Sequence, residues 1–260
     1  MALCAAGFLA FAGEEYEFDR VSDWLPSKNI TQKGERLLVK GQTMMVSKKF
    51  FDIVPGKIYK IELEGKRVGS ISTPVYFGFD QYLANGKRLV RRENVDIVPG
   101  TECTLAKEIK KGDSVVYLDK DAGKWKKLGH TYLAVNVKKD QSDLPNYKVY
   151  RFSIKNIEKC AEGYKVTLAN KMNVALSKGT MVRQHLTGGY MYAAGYKYFN
   201  SDKFQKMQGK VTGILTVPGY SNTKWSKYAS KARVIILANW GKKDGVLELK
   251  DIDLEIEEQK

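Results

Sequence analysis

The chain reads as an all-β protein on three observations. Its last thirty residues have the pattern of a hairpin: a nearly unbroken apolar, β-branched run from Lys231 to Gly241, a Lys242-Lys243-Asp244-Gly245 turn, then alternation from Val246 to Glu257. Alternation of period two sets one face of a strand on a core and the other in water, whereas the unbroken run suits a strand buried on both faces. Turn residues punctuate the rest at strand-length intervals, with Asn85-Gly86 the strongest hairpin signal. No segment sustains a helical period, although Asp202 to Gln208 has room for one turn.

Taken in order, Leu3 to Ala12 is a short apolar run ending Ala10-Phe11-Ala12, the small-x-small pattern of a signal-peptidase site. It is too short to span a bilayer and has no basic residue before it. Residues 1–12 are therefore read as a signal-peptide remnant of a secreted or cell-surface protein, the alternative being a buried N-terminal segment. Glu15 to Phe18 alternates and is expected to pair with the closing strand, where a break in phase at Lys250-Asp251 predicts a bulge. Further strands are expected at Arg36 to Lys40, Thr43 to Phe51, Lys57 to Glu64 and Thr73 to Phe79. Asp52-Ile53-Val54-Pro55-Gly56 recurs as Asp96-Ile97-Val98-Pro99-Gly100. The flanks do not match, so this is a turn used twice, with Pro fixing φ and Gly supplying a positive one.

From Thr101 to Leu186 the strands shorten and lysine thickens. This stretch holds 17 Lys and Arg against 9 Asp and Glu, a net +8 of the chain's +15. Strands within 111–118, 131–137, 164–168 and 179–183 suffice for a small barrel or compact β unit. After Gly188-Gly189 come Tyr190, Tyr192, Tyr196, Tyr198 and Phe199, then a strand within 204–216, and a Pro218 to Asn222 loop leading to Trp225.

At 260 residues, 43% hydrophobic and 28% charged, the chain can bury a sizeable core. The charge of +15 favours acidic partners, which include nucleic acid, anionic glycans and anionic membranes. Cys103 and Cys160 are either one disulfide or two unpaired thiols, and two histidines without a cysteine cluster supply no zinc set.

The order of these strands carries a resemblance. A first acidic alternating strand is followed by Pro55-Gly56-Lys57 with Tyr59, Ile61 and Leu63-Glu64; Tyr228 to Leu237 and the closing Leu247 to Glu255 complete it. This resembles the jelly-roll carbohydrate-binding modules of the galactose-binding-like β-sandwich type. The resemblance covers roughly 14–100 and 190–260. It implies a jelly-roll sandwich built from 13–100 and 187–260, with 101–186 an inserted basic β unit. It also implies a non-catalytic module for glycans or polysaccharides, and a structural calcium. The matching calcium ligands are Glu15, Glu17 and Asp251, carboxylates converging from paired strands on a hard cation.

Sugars are held by aromatic rings stacked on their apolar faces, and Tyr and Trp add a polar handle. Tyr190, Tyr192, Tyr220, Trp225 and Trp240 are the candidates, Trp225 and Trp240 as rim positions between polar stretches. Most rings of a β-sandwich are core or cross-strand pairs, so two or three exposed members are expected. Arg88 and Arg91, in a Lys87 to Arg92 run, suit carboxylates or sulfates of an acidic glycan, or else form a solvated basic strand. The alternative is an enzyme on acidic polysaccharide, lyase-like, with His185 as base and Tyr190 and Arg183 beside it. Single-stranded nucleic-acid binding ranks third, because the lysines are spread and no recognition motif accompanies them.

Overall fold

In a computed structural model of the protein, the described residues are 13–259 apart from 129, 130, 187 and 220, with the backbone alone for Arg91 and Arg92; the expected signal-peptide remnant at 1–12 lies outside them. Two large sheets dominate. The first runs Gln205–Thr212, Lys57–Arg67, Val246–Glu258, Arg36–Lys40, Ile30–Lys33, with Glu14–Glu17 added on Val246–Glu258. The second runs Tyr196–Phe199, Thr73–Tyr82, Lys231–Ala238, Thr43–Val46, with Phe51–Asp52 and Arg88–Leu89 as short additions. The chain crosses from sheet to sheet as it goes: Lys57–Arg67 in the first, Thr73–Tyr82 in the second, Gln205–Thr212, Lys231–Ala238 and Val246–Glu258 alternating thereafter. That crossing is the jelly-roll sandwich, and the sequence expectation of an all-β jelly roll holds.

The core lies between these sheets. Leu37, Tyr59, Ile61, Leu63 and Leu254 reach it from the first, and Val75, Phe77, Phe79, Val234 and Ile236 from the second. Every one is at an alternate strand position, as period two requires.

The two ends of the chain pair as expected, Glu15 opposite Glu255 and Glu17 opposite Asp253. The phase break is a bulge: pairing with Lys57–Arg67 slips between Lys250 and Asp253, and Asp251 has φ 48. The extra residue resets the alternation, so Leu247 and Leu249 before it and Ile252, Leu254 and Ile256 after it all face the core. Both copies of the repeated pentapeptide end in a left-handed glycine, Gly56 at φ 82 and Gly100 at φ 72.

Between Cys103 and Leu186 lie two smaller sheets, Val115–Leu118, Gly163–Leu168, Ile154–Cys160 and Val149–Arg151, Thr131–Val135, Met181–Leu186, Cys103–Thr104. They enclose their own cluster, with Leu118, Leu133, Phe152, Val166 and Val182. It meets the sandwich through an isolated bridge between Ile97 and His185 and through Asn94, whose side chain donates to the Asn146 carbonyl at 2.9 Å.

Some expectations need correction. Cys103 and Cys160 are both free thiols, the first inside the small core and the second at a strand end of the other small sheet. The disulfide alternative therefore falls. The Thr43 to Phe51 strand stops at Val46: Ser47 N–H still donates to the Val234 carbonyl, but the Val234 N–H is taken by the Ser47 side-chain oxygen in place of its carbonyl, and Ser47 bridges Trp24. Asp202 to Gln208 contributes to the strand Gln205–Thr212 instead of a helical turn. Among the described residues no helix is long and apolar enough to cross a membrane.

Candidate functional site

The outer faces of the two large sheets differ in chemistry. On the first sheet, charges pair across strands: Lys206 with Glu62 at 2.8 Å, Lys250 with Glu64 at 2.9 Å, Lys60 with Glu255 at 3.3 Å. Such exposed pairs satisfy one another and hold little energy. The outer face of the second sheet is instead built of rings.

Strand register sets them in a row. Tyr196 lies opposite Tyr76, Tyr76 opposite Leu237, and Leu237 opposite Met44, across all four strands. One residue pair along, Tyr198 lies opposite Pro74, and Trp240 closes that end by donating its backbone N–H to the Pro74 carbonyl at 3.1 Å. Ring centroids step from Tyr190 to Tyr192 (6.2 Å), Tyr192 to Tyr76 (5.0 Å), Tyr76 to Tyr196 (5.4 Å) and Tyr196 to Tyr198 (6.2 Å). Beneath them Val46, Ile235 and Leu237 form a buried apolar floor. Tyr196 is 62% exposed and Tyr198 50%, with Met44 and Trp240 exposed beside them. The row is contiguous, half-buried at Tyr190, Tyr192 and Tyr76 and exposed at Tyr196 and Tyr198, and it lies on an apolar floor; isolated surface apolars do not organise this way.

Local sequence explains the row. Period two puts Tyr196 and Tyr198 on the outer side while Phe199 turns into the core. The 190–195 segment runs against the edge of Thr73–Tyr82, with Met191 exchanging backbone hydrogen bonds with Phe79 at 2.7 and 3.0 Å. It then turns at Tyr192, whose carbonyl accepts from Gly195 N at 2.9 Å. The turn passes directly over Gly78: a Cβ there would sit 1.9 Å from the Met191 carbonyl oxygen. Only glycine admits that approach, and it brings Tyr190 and Tyr192 over the sheet.

At its other end the row meets charge. The Arg88 guanidinium lies 4.7 Å from the Tyr190 ring and bonds through Nε to buried Asp80 at 2.8 Å. Asp80 also accepts from the Tyr82 hydroxyl at 2.7 Å and faces Arg233 at 3.6 Å. Burial and the Asp80 carboxylate push the Tyr82 phenol well above its usual range, so it stays a donor.

Of the residues expected to bind ligand, Tyr190, Tyr192 and Arg88 come to this one face, and Trp240 is exposed at the end of the sheet, held there by its backbone bond to Pro74. Trp225 does not: it is 1% exposed, packed edge-on against Tyr59 at 5.0 Å and against Phe79 at 4.9 Å. Polar neighbours in sequence pointed to a rim, but the largest side chain filled the sandwich core. Tyr220 lies outside the described residues, as does the side chain of Arg91, whose backbone is in a short helix, Arg91–Asn94. Tyr76, Tyr196, Tyr198 and Met44 were not among the expected site residues. Tyr190, Tyr192, Tyr196 and Tyr198 repeat at even spacing, and that period was the signal for a shared face.

The set His185, Tyr190 and Arg183 required by the enzyme alternative is not assembled. His185 and Arg183 are fully buried where the small unit meets the sandwich, while Tyr190 lies on the ring-lined face. Both nitrogens of His185 are engaged: Arg183 Nε donates to Nε2 at 3.1 Å, and Nδ1 lies 2.6 Å from the Glu93 carbonyl. The neutral tautomer with hydrogen on Nδ1 satisfies both contacts. Burial and the neighbouring Arg183 hold His185 down at about 4. Arg183 itself is committed to Asp143 at 2.8 Å, whose carboxyl is lowered. Neither the His185 nor the Arg183 side chain is open to solvent.

The calcium donors are only partly gathered. Glu17 and Asp251 line one hollow with Asp19, while Glu15 lines a neighbouring hollow. Among the described residues no three acidic or metal-binding side chains stand as a ready cage. The carboxyls at the bulge do repel one another. Burial, then Asp19, Asp251 and Glu17, raise Asp253 to about 6, and burial with Asp251 and Glu17 raises Asp19 despite a bond from Ile252 N.

The fold and this face define a β-sandwich with a ring-lined outer sheet. No family profile matches the sequence, and no curated protein matches it. Among solved structures, the CBM22-1 xylan-binding domain from Paenibacillus barcinonensis Xyn10C is similar at 9% identity, over 94% of this chain and 96% of that one, with a TM-score of 0.35. At that distance it lends no support to fold or site, which rest on the strands and side chains above.

Proposed function

We propose that the protein is a non-catalytic carbohydrate-binding or glycan-adhesion module, acting outside the cell, and that it binds polysaccharide across the outer face of the second sheet. The observation that carries this is the row Tyr192, Tyr76, Tyr196 and Tyr198, stepped at ring-to-ring spacings over an apolar floor, with its last two rings exposed. Extended sugar chains offer repeated flat apolar faces, and rigid rings held in place by a sheet meet them at small entropic cost. Acidic glycans are favoured within that class by the charge of +15. A glycan array with the full chain tests it: retention of polysaccharide that is lost in Tyr196→Ala with Tyr198→Ala supports the reading, and no retention of any glycan removes it.

We also propose a structural calcium at the bulge. Glu17, Asp19 and Asp251 line one hollow and would have to draw together to hold it as hard oxygen donors, since they do not stand as a cage without it; its charge would offset the repulsion that adds to burial in raising Asp19 and Asp253. Glu15, on the neighbouring hollow, is replaced in this set by Asp19.

A further inference from the structure

At the end of the ring-lined face two guanidinium groups meet one buried carboxylate, and the Glu93 carboxylate is also within electrostatic reach of Arg88. Asp80 is buried and sits between two guanidinium groups, Arg88 at 2.8 Å and Arg233 at 3.6 Å, with the Tyr82 hydroxyl as a third partner. A buried carboxylate needs one counter-charge, and here it has two. The arginines are not equivalent. Arg233 lies beside the touching Phe50 and Tyr82 rings, 5.2 and 5.0 Å from their centroids, and little of it reaches solvent. Arg88 keeps 38% of its side chain in solvent and lies over the Tyr190 ring, the first of the row. Asp80 bonds it through Nε, on one side of the planar fork. Such a fork also has terminal N–H groups, the donors that fit a carboxylate or sulfate.

We propose that Arg88 is the anion-reading subsite of the face, specific for a carboxylate or sulfate ester on a sugar stacked at Tyr190 and Tyr192. Arg233 shares Asp80 from behind, and Asp80 fixes the orientation of Arg88. Arg233 and Asp80 are positioning residues, and Arg88 touches the ligand. This rests on the glycan-binding reading of the tyrosine row and adds the chemical class of the sugar.

The experiment uses matched ligands and the full chain. Calorimetric titration compares polygalacturonate with its methyl ester, and a sulfated galactan with its unsulfated counterpart. The expected result is about a tenfold preference for the charged member of at least one pair, the size of one charge-assisted contact. In Arg88→Gln that ratio should fall to near one. Arg88→Lys, which keeps charge but not the planar fork, should recover only part of it. The pair that shows the preference names the anion. Binding of each pair without preference, or a ratio kept in Arg88→Gln, overturns the subsite and leaves the tyrosine row standing. Binding of none of the four overturns both. A single-stranded oligonucleotide bound as tightly as the charged glycan, and weakened equally by Arg88→Gln, shows a site that reads charge and no sugar, and also overturns the proposal. Thermal melts of both variants confirm that they are folded.

Discussion

Tyr196 stacks on Tyr76 across the edge of the second sheet, with ring centroids 5.4 Å apart and planes inclined by 28°. Tyr76 is half-buried and fixed by its strand, so the exposed Tyr196 ring is held flat before any ligand arrives. Removing it should therefore cost binding and little else. Tyr196→Ala is expected to weaken polysaccharide binding about tenfold, from ~1–1.5 kcal/mol of ring contact. Its melting temperature should stay within a degree or two of the parent. Trp225→Ala should show the reverse, losing about 3–5 kcal/mol of stability through a core cavity while the folded fraction binds normally. Calorimetric titration beside urea denaturation separates the two, and equal effects on both quantities at Tyr196 would remove it from the site.

Gly78 offers a second way to disturb the row without touching a ring. A Cβ there meets the Met191 carbonyl oxygen at 1.9 Å and the Tyr192 Cα at 2.7 Å, both backbone, so the turn must lift. Gly78→Ala is expected to destabilise by about 1–3 kcal/mol and to weaken binding by displacing Tyr190 and Tyr192. At Gly219 such a Cβ would meet nothing within 4 Å, and Gly219→Ala serves as the control with neither effect. Native binding by Gly78→Ala would show that this turn does not position the ligand.

His185 should make the protein acid-sensitive. Its folded value is about 4 against an ordinary 6.5, so the folded state binds fewer protons than the unfolded one between those values. Stability is full above 6.5, falls as pH drops through that window, and the whole loss is present below about 4. The loss is about 2 kcal/mol at pH 5 and about 3 near pH 4. His185→Gln removes that dependence, so the stability difference between variant and parent should itself shift by this amount across the window, while groups common to both cancel. Urea melts at pH 7.5, 6, 5 and 4 check it, and a constant difference across them would contradict the buried neutral imidazole.

The residues themselves show why the sandwich was readable and the site only half so. Alternation in Val246 to Glu257, and its break at Lys250-Asp251, are local consequences of one face being dry, and they predicted the strand, its partner at Glu14–Glu17 and the bulge. A ring's depth is not local. Trp225 lies among serines, asparagine and lysines in sequence yet fills the space between Tyr59 and Phe79, because the sheets that bury it come from elsewhere in the chain. Tyr76 reads as one more apolar residue of a buried strand, and only register with Tyr196 and Leu237 puts it on the outer face. His185 and Tyr190 are five residues apart, yet the first is in a buried seam and the second on the ring-lined face.

The bulge at Asp251 should make stability depend on both pH and calcium, in a sense opposite to His185. Asp253 is raised to about 6 from 3.8, so the folded state holds its proton longer than the unfolded chain does. That contribution is full below 3.8 and is lost as pH rises through 6, leaving a charged, half-buried carboxylate among Asp19, Asp251 and Glu17. With solvent screening taken into account, the cost at neutral pH is about 1 kcal/mol. Asp253→Asn should therefore stabilise the protein at pH 7.5 and do nothing at pH 3.5. A bound calcium would relieve the same repulsion, so at neutral pH a chelator should lower the melting temperature. Saturating calcium should restore it, with a gain of about 2.7 kcal/mol at a hundredfold excess over the dissociation constant. Asp251→Asn should remove the calcium response while the parent retains it. A melt unmoved by chelator at pH 7.5 would leave the carboxylates as a repulsive cluster, and Asp253→Asn would then be the larger stabiliser.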